Sequence, residues 1–263
     1  MTLVPYYEDA RATLYQADAL AVLGEMPTAS VDALITDPPY SSGGQYKGDR
    51  SAATGDKYGG ETMVDFSGDN RDQRSFLTWM NLWLTEGMRV VRPGGVCALF
   101  TDWRQLPTMT DALQVGGWVW RGVVPWAKPS GRPAYKQRAW LNQCEYVVWG
   151  TAGSSATTAN GATEPLPGFY VGSPPRDREH QTQKPLDVMR APVRICPEGG
   201  TILDPFAGSG TTGAAALIEG RRFIGSEMTA HYADVAAARL RSVAQGYRDD
   251  GEQAAFDLDG GAA

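Results

Sequence analysis

One segment restricts the fold more than any other, because a strand-like run leads into a glycine-rich turn and then into a helix. Residues 201–213 read Thr-Ile-Leu-Asp-Pro-Phe-Ala-Gly-Ser-Gly-Thr-Thr-Gly. Gly208, Gly210 and Gly213 have the G-x-G-x-x-G spacing, which allows the backbone to approach a ligand closely. Glu227 ends the next strand-like run, where an acid can accept hydrogen bonds from both ribose hydroxyls. The segment therefore predicts a βαβ unit that binds an adenosine-containing cofactor.

The rest of the chain alternates in the same way between apolar runs and helical patterns. Strands are predicted at Thr13–Asp18, Val31–Thr36, Val96–Thr101, Trp118–Ala127, Cys144–Trp149, Thr201–Leu203 and Arg222–Ser226. Helices are predicted between the first two strands and at Arg74–Val91, Trp103–Val115, Leu186–Cys196, Ser209–Glu219 and Ala230–Ala244. This alternation predicts an α/β fold with a mostly parallel sheet, helices on both faces, and ligands beyond the carboxyl ends of the strands.

A second motif, Asp37-Pro38-Pro39-Tyr40, directly follows the apolar run Val31–Thr36. The two prolines fix successive φ angles and remove two amide donors. They leave the Asp37 carboxylate and the Pro38 carbonyl as adjacent, rigid acceptors beside the Tyr40 ring. Such a turn suits a planar group that carries an NH₂. The exocyclic amine of a nucleobase is such a group. Two acceptors would localise its lone pair toward a methyl donor, while the ring of Tyr40 stacks on the nucleobase.

The residues before the glycines indicate which cofactor is bound. Asp204 and Phe206 place a carboxylate and an aromatic ring where the pyrophosphate of NAD would approach. A negative charge suits a cationic ligand better, and S-adenosylmethionine carries both a sulfonium and an ammonium group. S-adenosylmethionine is therefore the predicted cofactor. An NAD-dependent oxidoreductase is the alternative from another enzyme class.

Together, the two motifs resemble those of DNA amino-methyltransferases, which act on exocyclic nitrogens. Their order resembles the β class, a circular permutation of the Rossmann-like fold, over roughly residues 10–245. The resemblance implies a three-layer α/β sandwich with a seven-stranded, mostly parallel sheet. It also implies methylation of adenine N6 in double-stranded DNA after the base leaves the stack. In this family Asp-Pro-Pro-Tyr usually accompanies adenine N6 and Ser-Pro-Pro-Tyr cytosine N4. Cytosine-N4 methylation and a non-catalytic DNA-binding role also stay open.

The resemblance also assigns roles to single residues. It implies that Asp18 lies against the cofactor adenine and Lys184 near its methionine end, and that Glu227 binds its ribose. The predicted catalytic residues are Asp37, Pro38, Pro39 and Tyr40. The predicted cofactor-binding residues are Asp18, Asp37, Lys184, Asp204, Phe206, Ala207, Gly208, Ser209, Gly210, Thr211, Thr212 and Glu227.

The charge distribution favours DNA as a partner, although the net charge is −6. Residues 249–263 contain five acids and no Lys or Arg, so the rest of the chain has a charge near −1. Residues 112–144 contain five basic residues and no acid, and a local basic strip attracts a phosphate backbone. The predicted DNA contacts are Gln45, Lys47, Arg50, Lys57, Lys128, Arg132, Lys136, Arg138, Arg176 and Arg178.

The domain organisation follows from these assignments. We expect one catalytic domain over residues 1–248, with small target-recognition insertions at 41–62 and about 128–180, and an acidic disordered tail at 249–263. No apolar run is long enough to span a bilayer, and the N-terminus lacks a signal-peptide pattern, so a cytoplasmic protein without a membrane partner is expected. Three scattered cysteines and two histidines predict no metal site. A homodimer is left open.

Seven of the eight tryptophans fall into two predicted groups. Trp79 and Trp83 have helical spacing and are predicted to pack in the core, as are three tryptophans in the strand-like runs: Trp118, Trp120 and Trp149. Trp126 and Trp140 flank the basic strip and are the candidates for contact with DNA.

Overall fold

The computed structural model describes residues 3–40, 71–133, 140–154, 165–172 and 184–249, without side chains at 130–133 and 247–249. Its strands are β1 Tyr7–Glu8, β2 Ala12–Tyr15, β3 Val31–Thr36, β4 Val91–Thr101, β5 Val119–Pro133, β6 Leu141–Thr151, β7 Tyr170–Val171, β8 Thr201–Asp204 and β9 Arg222–Ser226. Its helices are α1 Ala19–Glu25, α2 Gln73–Val90, α3 Leu106–Val115, α4 Leu186–Val193, α5 Thr211–Ile218 and α6 Ala230–Asp249.

The strands form one sheet in the order β1-β2-β9-β8-β3-β4-β6-β5-β7. The five strands from β2 to β4 in this order are parallel, whereas β6 runs antiparallel to both β4 and β5. The predicted α/β fold with a mostly parallel sheet is therefore confirmed. The described part has nine strands rather than seven, and the two-residue edge strands β1 and β7 account for the difference.

Each face of the sheet is covered by helices, and the side chains of β3 alternate between the two faces. Ala33 and Ile35 join a core cluster with residues of α4, α5 and α6. Leu34 joins a second cluster with residues of α1, α2 and α3. Side chains of a strand point alternately to opposite faces, so a strand covered on both faces is apolar almost throughout. This explains why four of the six residues in the run Val31–Thr36 are apolar and buried.

Several predicted boundaries differ because of local capping and pairing. The helix predicted from Trp103 begins at Leu106, since Asp102 fixes a turn before it. The strand predicted to end at Ala127 continues to Pro133, paired with β6. The predicted insertion at 41–62 and residues 250–263 of the tail lie outside the described residues, whereas the insertion at about 128–180 includes the end of β5, β6 and β7 of the sheet. The domain boundaries stay predictions.

The tryptophans show how the sheet order decides burial. Trp83 and Trp118 are buried, as predicted. Trp126 is also buried, and its Nε1 donates to the carbonyl of Gly172 at 2.9 Å, so its predicted exposure to DNA is wrong. Trp120 is exposed, which contradicts its predicted core position. Trp140 is almost fully exposed.

The sheet brings the two motifs of the sequence together. Strands β3 and β8 are parallel neighbours, paired at Ala33–Ile202 and Leu34–Leu203, although they are far apart in the chain. The order of connections reverses at this point, and such a reversal opens a crevice at the carboxyl ends of the strands. The turn 37–40 and the glycine turn both begin at that edge.

Two further observations concern other kinds of site. None of the described helices is long and apolar enough to cross a membrane. Among the described residues, no group of three or more His, Cys, Asp or Glu side chains is arranged to hold a metal ion.

Candidate active site

The turn after β3 presents a carboxylate that already has a donor on each oxygen. Oδ1 of Asp37 accepts a hydrogen bond from the Tyr40 hydroxyl. Oδ2 accepts from Nζ of Lys184 at 2.5 Å. Lys184 also lies 5.0 Å above the centre of the Tyr40 ring. The predicted catalytic and cofactor residues Asp37, Tyr40 and Lys184 are thus brought into direct contact. Pro38 is buried beneath them and Pro39 is half-buried.

Lys184 is the centre of a chain of alternating charges. Only 5% of its side chain is exposed, and its ammonium lies 3.3 Å from Oε2 of Glu145. Oε1 of Glu145 pairs in turn with Lys128 on the adjacent strand β5. The sequence did not identify Glu145 as a site residue. Its one signal was a charged residue inside an otherwise mainly apolar strand, and only the pairing of β4 with β6 brings it toward Asp37.

Burial and neighbouring charges have opposing effects on the pKa values of Asp37 and Lys184. Burial raises the pKa of Asp37, the Lys184 ammonium lowers it, and the negative charge of Glu145 raises it again. Burial would lower the pKa of Lys184, but the carboxylates of Asp37 and Glu145 raise it above its ordinary value. Lys184 is therefore held as a cation, whereas Asp37 is a stronger proton acceptor than an exposed aspartate.

The glycine turn is joined to β3 by a buried carboxylate. Asp204, at the end of β8, accepts from Oγ1 of Thr36 at 2.5 Å and from the backbone N–H of Phe206 at 3.0 Å. Burial raises the pKa of Asp204 to about 6, although hydrogen bonds from Thr212 and Thr36 favour the ionised form. Each of these donors is a neutral group, so the carboxylate is suited to receive a cationic ligand.

Glu227 fastens the glycine turn from the neighbouring strand. Its Oε2 accepts from the N–H of Gly208 at 3.0 Å, and its Oε1 accepts from the N–H of Thr229 at 2.7 Å. Each carboxylate oxygen has a second lone pair. Burial raises the pKa of Glu227, and these backbone donors oppose the rise. Glu227, the predicted ribose-binding acid, thus also stabilises the conformation of the glycine turn.

Gly210 has two structural reasons to be glycine. Its φ is +78°, in the left-handed region that side chains rarely adopt. A Cβ at this position would lie 3.0 Å from Cα of Ala236 in α6. Helix packing therefore constrains this glycine, and the predicted approach to a ligand is not its only explanation.

The remaining predicted cofactor residues of the turn are largely buried. The hydroxyls of Ser209 and Thr211 accept from Nη1 of Arg239 at 3.3 and 2.8 Å. Thr212 contacts Sδ of Met189 at 3.7 Å. The N–H of Ala207 donates to the carbonyl of Ser226 at 2.9 Å. These contacts fix the start of α5 from three sides, so the turn has a defined shape before any ligand arrives.

Phe206 forms an aromatic wall with α2. Its ring centre lies 5.3 Å from that of Trp79 and 5.1 Å from that of Trp83. Trp83 is fully buried, and Phe206 and Trp79 are half-buried. The family resemblance implies that Phe206 packs on the cofactor, and the structure adds the two tryptophans that contact its ring.

Four acids follow four neighbouring parallel strands along one edge of the sheet. In spatial order they are Asp18 after β2, Glu227 after β9, Asp204 at the end of β8, and Asp37 after β3. Asp18 caps α1 by accepting from the N–H groups of Leu20 and Ala21. The carboxyl edge therefore carries the acidic residues predicted for the adenine, the ribose, the cationic end and the target amine.

The structure describes little of the predicted DNA-binding set. Lys128 is described, and its ammonium pairs with Glu145 and lies 4.8 Å from the centre of the Trp126 ring. Arg132 is described by its backbone alone. The other eight lie outside the described residues, and all ten contacts stay predictions: Gln45, Lys47, Arg50, Lys57, Lys136, Arg138, Arg176 and Arg178.

The fold and the acidic carboxyl edge of the sheet define a nucleotide-binding α/β enzyme in which the turn 37–40 lies beside the glycine turn. The sequence matches the family model described as DNA methylase over residues 31–167 and 167–238. The chain therefore belongs to the N6/N4 DNA methylase family, and it is an S-adenosylmethionine-dependent DNA methyltransferase.

The chain is also similar to individual DNA methyltransferases in sequence or in fold. The Type II methyltransferase M2.LlaDCHI of Lactococcus lactis subsp. cremoris is 26% identical over 253 residues, which are 90% of this chain and 91% of the relative. The crystal structure of the M1.HpyAVI–SAM complex is 26% identical, covers 87% of this chain and 98% of its own, and superposes with a TM-score of 0.63. The cytosine-N4-specific PvuII DNA methyltransferase is 18% identical, covers 93% and 94% of the two chains, and has a TM-score of 0.69, which shows a shared fold.

Proposed function

We propose that this protein transfers a methyl group from S-adenosylmethionine to N6 of adenine in double-stranded DNA. The observation that carries the proposal is the Asp37 carboxylate, which is held at the sheet edge beside Tyr40 and next to the glycine turn. Its identity supports adenine over cytosine, because the resemblance associates Asp-Pro-Pro-Tyr with adenine N6. The cytosine-specific structure shares the fold alone, so it does not favour cytosine N4.

The residues of the site suit the cofactor chemically. S-adenosylmethionine supplies an electrophilic methyl group when it is bound. Asp204 would face its cationic end, since a buried carboxylate with neutral donors gains from a nearby positive charge. Glu227 would hold its ribose, and the half-buried ring of Phe206 would pack against it.

Asp37 would then act on the target amine. Oδ1 accepts one hydrogen bond, from the Tyr40 hydroxyl, and its second lone pair can accept from the amine. Release of that hydroxyl would free the Tyr40 ring to stack on the extruded base. Lys184 remains on Oδ2 and fixes the orientation of the carboxylate. The amine nitrogen would bond to the methyl carbon as the carbon–sulfur bond breaks and its electron pair stays on sulfur, which leaves as a neutral thioether. Asp37 would accept the proton that the amine releases.

The product decides between the two bases. DNA from a host that lacks its own amino-methylation, and that expresses the protein, should contain N6-methyladenine after enzymatic digestion and mass spectrometry. N4-methylcytosine in its place would transfer the proposal to cytosine. A purified protein that methylates neither base, while it still binds S-adenosylmethionine, would contradict an enzymatic role and favour a non-catalytic DNA-binding role.

Replacing Glu227 with Ala should weaken cofactor binding by about 10- to 100-fold, because hydrogen bonds to a charged group are worth about 1.5–3 kcal/mol. Calorimetric titration with S-adenosylhomocysteine measures the change. Glu198 is a suitable control because it is exposed and precedes β8, at the opposite edge of the sheet. Glu198→Ala should bind like the unmodified protein, and unchanged affinity in Glu227→Ala would remove Glu227 from the cofactor site.

Cofactor binding should also depend on pH through Asp204. Because burial raises its pKa to about 6, the carboxyl gains its negative charge only as the pH rises through that value. The affinity for S-adenosylmethionine should therefore increase between about pH 5 and 7. Asp204→Asn retains an acceptor for Thr36 and Phe206 but cannot ionise, so its affinity should be lower and should depend less on pH in this range. A pH dependence unchanged in Asp204→Asn would contradict this assignment.

A further inference from the structure

An exposed tryptophan stands beside the catalytic turn and has no role in the site described above. Strands β3 and β4 are paired with Thr36 opposite Leu99, so residues 102–105 after β4 lie next to the turn after β3. The charge of Asp102 contributes to the raised pKa of Tyr40, which reflects the proximity of the two side chains. We call residues 102–105 the 102–105 turn. It lies on the edge where the target base must enter.

Trp103 in this turn is presented to solvent. Its side chain is 46% exposed, and the guanidinium carbon of Arg104 lies 4.9 Å from the centre of its ring. Arg104 also pairs with Asp102 at 3.3 Å. Exposure alone does not distinguish this ring, but its position beside the site places an aromatic face where an entering base can contact it.

The backbone of the turn is fixed rather than loose. Oδ1 of Asp102 accepts from the N–H groups of both Arg104 and Gln105 at 3.0 Å. Gln105 is itself buried and is the N-cap residue of α3. A side chain on such a turn can meet a ligand without the entropy cost of ordering a flexible loop.

We propose that Trp103 and Arg104 form a DNA-contact surface that holds the duplex open at the target base. The inference rests on the proposed methylation of DNA. The indole would stack on the bases that flank the extruded nucleotide, since an aromatic face accepts any base. The guanidinium would lie against the phosphate backbone, where it supplies positive charge beside the ring.

The chain contains a closely matched control in Trp120. Trp120 is 44% exposed and pairs with Gly150, which pairs on its other side with Cys97, four residues before Thr101 on β4. Thr101, by contrast, pairs with Tyr146 at the end that carries the site. Trp120 and Trp103 are therefore equally exposed but lie toward opposite edges of the sheet.

The test uses the full chain and oligonucleotide duplexes that carry a site mapped on DNA from an expressing host. Trp103→Ala should lower kcat/KM on the fully paired duplex by about 10- to 100-fold, the loss expected for one stacked base. A duplex with a mismatch at the target base should restore much of the rate, because extrusion then costs less. Trp103→Phe should retain most activity, and Trp120→Ala should match the unmodified protein.

A fluorescent base analogue, 2-aminopurine at the target position, reports extrusion directly. Its emission on binding should rise less with Trp103→Ala than with the unmodified protein, while the affinity for S-adenosylhomocysteine stays the same. Unchanged kcat/KM in Trp103→Ala, or an equal loss on paired and mismatched duplexes, would overturn the proposal. Failure of the unmodified protein to methylate any DNA would instead overturn the proposed function on which this inference rests.

Discussion

Replacing Asp37 with Asn should lower the rate of DNA methylation by about 10²–10³-fold, the loss typical of one preorganised group at a reacting centre. The amide has the shape of the carboxylate, but it cannot accept two donors as strongly or take up the proton of the amine. Cofactor binding should change little, because Asp204 and Glu227 remain at the cofactor turn. Transfer of a radiolabelled methyl group to DNA measures the rate, and calorimetry measures the binding.

The fold should survive this change. Lys184 would still face Glu145 at 3.3 Å, so its buried ammonium would keep an anionic partner. The midpoint of thermal unfolding reports this directly. Asp111→Asn, on the exposed surface of α3, is the control for the general effect of losing a carboxylate. Near-normal turnover by Asp37→Asn would remove Asp37 from the reaction.

Lys184→Met and Glu145→Gln should shift the pH dependence of kcat/KM in opposite directions. The part that shifts is the acid limb, which is the rise of kcat/KM with pH as Asp37 loses its proton. Asp37 is faced by Lys184, Tyr40, Glu145 and Asp204. Lys184 lowers the pKa of Asp37, so its removal should raise that pKa and shift the acid limb to higher pH. Glu145 raises the same pKa, so Glu145→Gln should shift the acid limb to lower pH.

Lys184→Met should also lower stability strongly, since breaking a buried pair from one side costs about 3–5 kcal/mol. The opposite directions of the pH shifts separate an electrostatic role from a loss of fold, which would move both profiles alike. Lys128→Met is the matched control, because Lys128 contacts Glu145 and not Asp37, and its shift should be smaller. Measurements at saturating cofactor remove the effect of Asp204 on cofactor affinity, so that the pH dependence reports Asp37. Shifts in the same direction for Lys184→Met and Glu145→Gln would contradict the assigned charges.

The sequence identified those residues whose structural role depends only on their neighbours in the chain. Two prolines after an apolar run make a rigid turn wherever it occurs, and a glycine turn between a strand and a helix makes a binding loop. The runs Val31–Thr36 and Arg222–Ser226 end where predicted, because periodicity and turn residues act within a few positions. The predicted α/β class follows from their alternation.

Proximity between distant segments could not be predicted in the same way. Glu145 reaches Lys184 because β6 inserts between β4 and β5, a pairing that no local pattern specifies. Trp120 and Trp126 lie on the same strand in similar apolar surroundings, yet Trp120 is exposed whereas Trp126 is buried in a core cluster with Val188 of α4.

The sequence by itself therefore determined the fold class, the two binding turns and the acids that serve them. The tertiary structure decided that these acids lie along one edge in strand order, that Lys184 and Glu145 complete the catalytic turn, and that Trp103 stands beside it. The physical reason is that turns depend on neighbours in the chain, whereas burial and ion pairing depend on which strands become neighbours in the sheet.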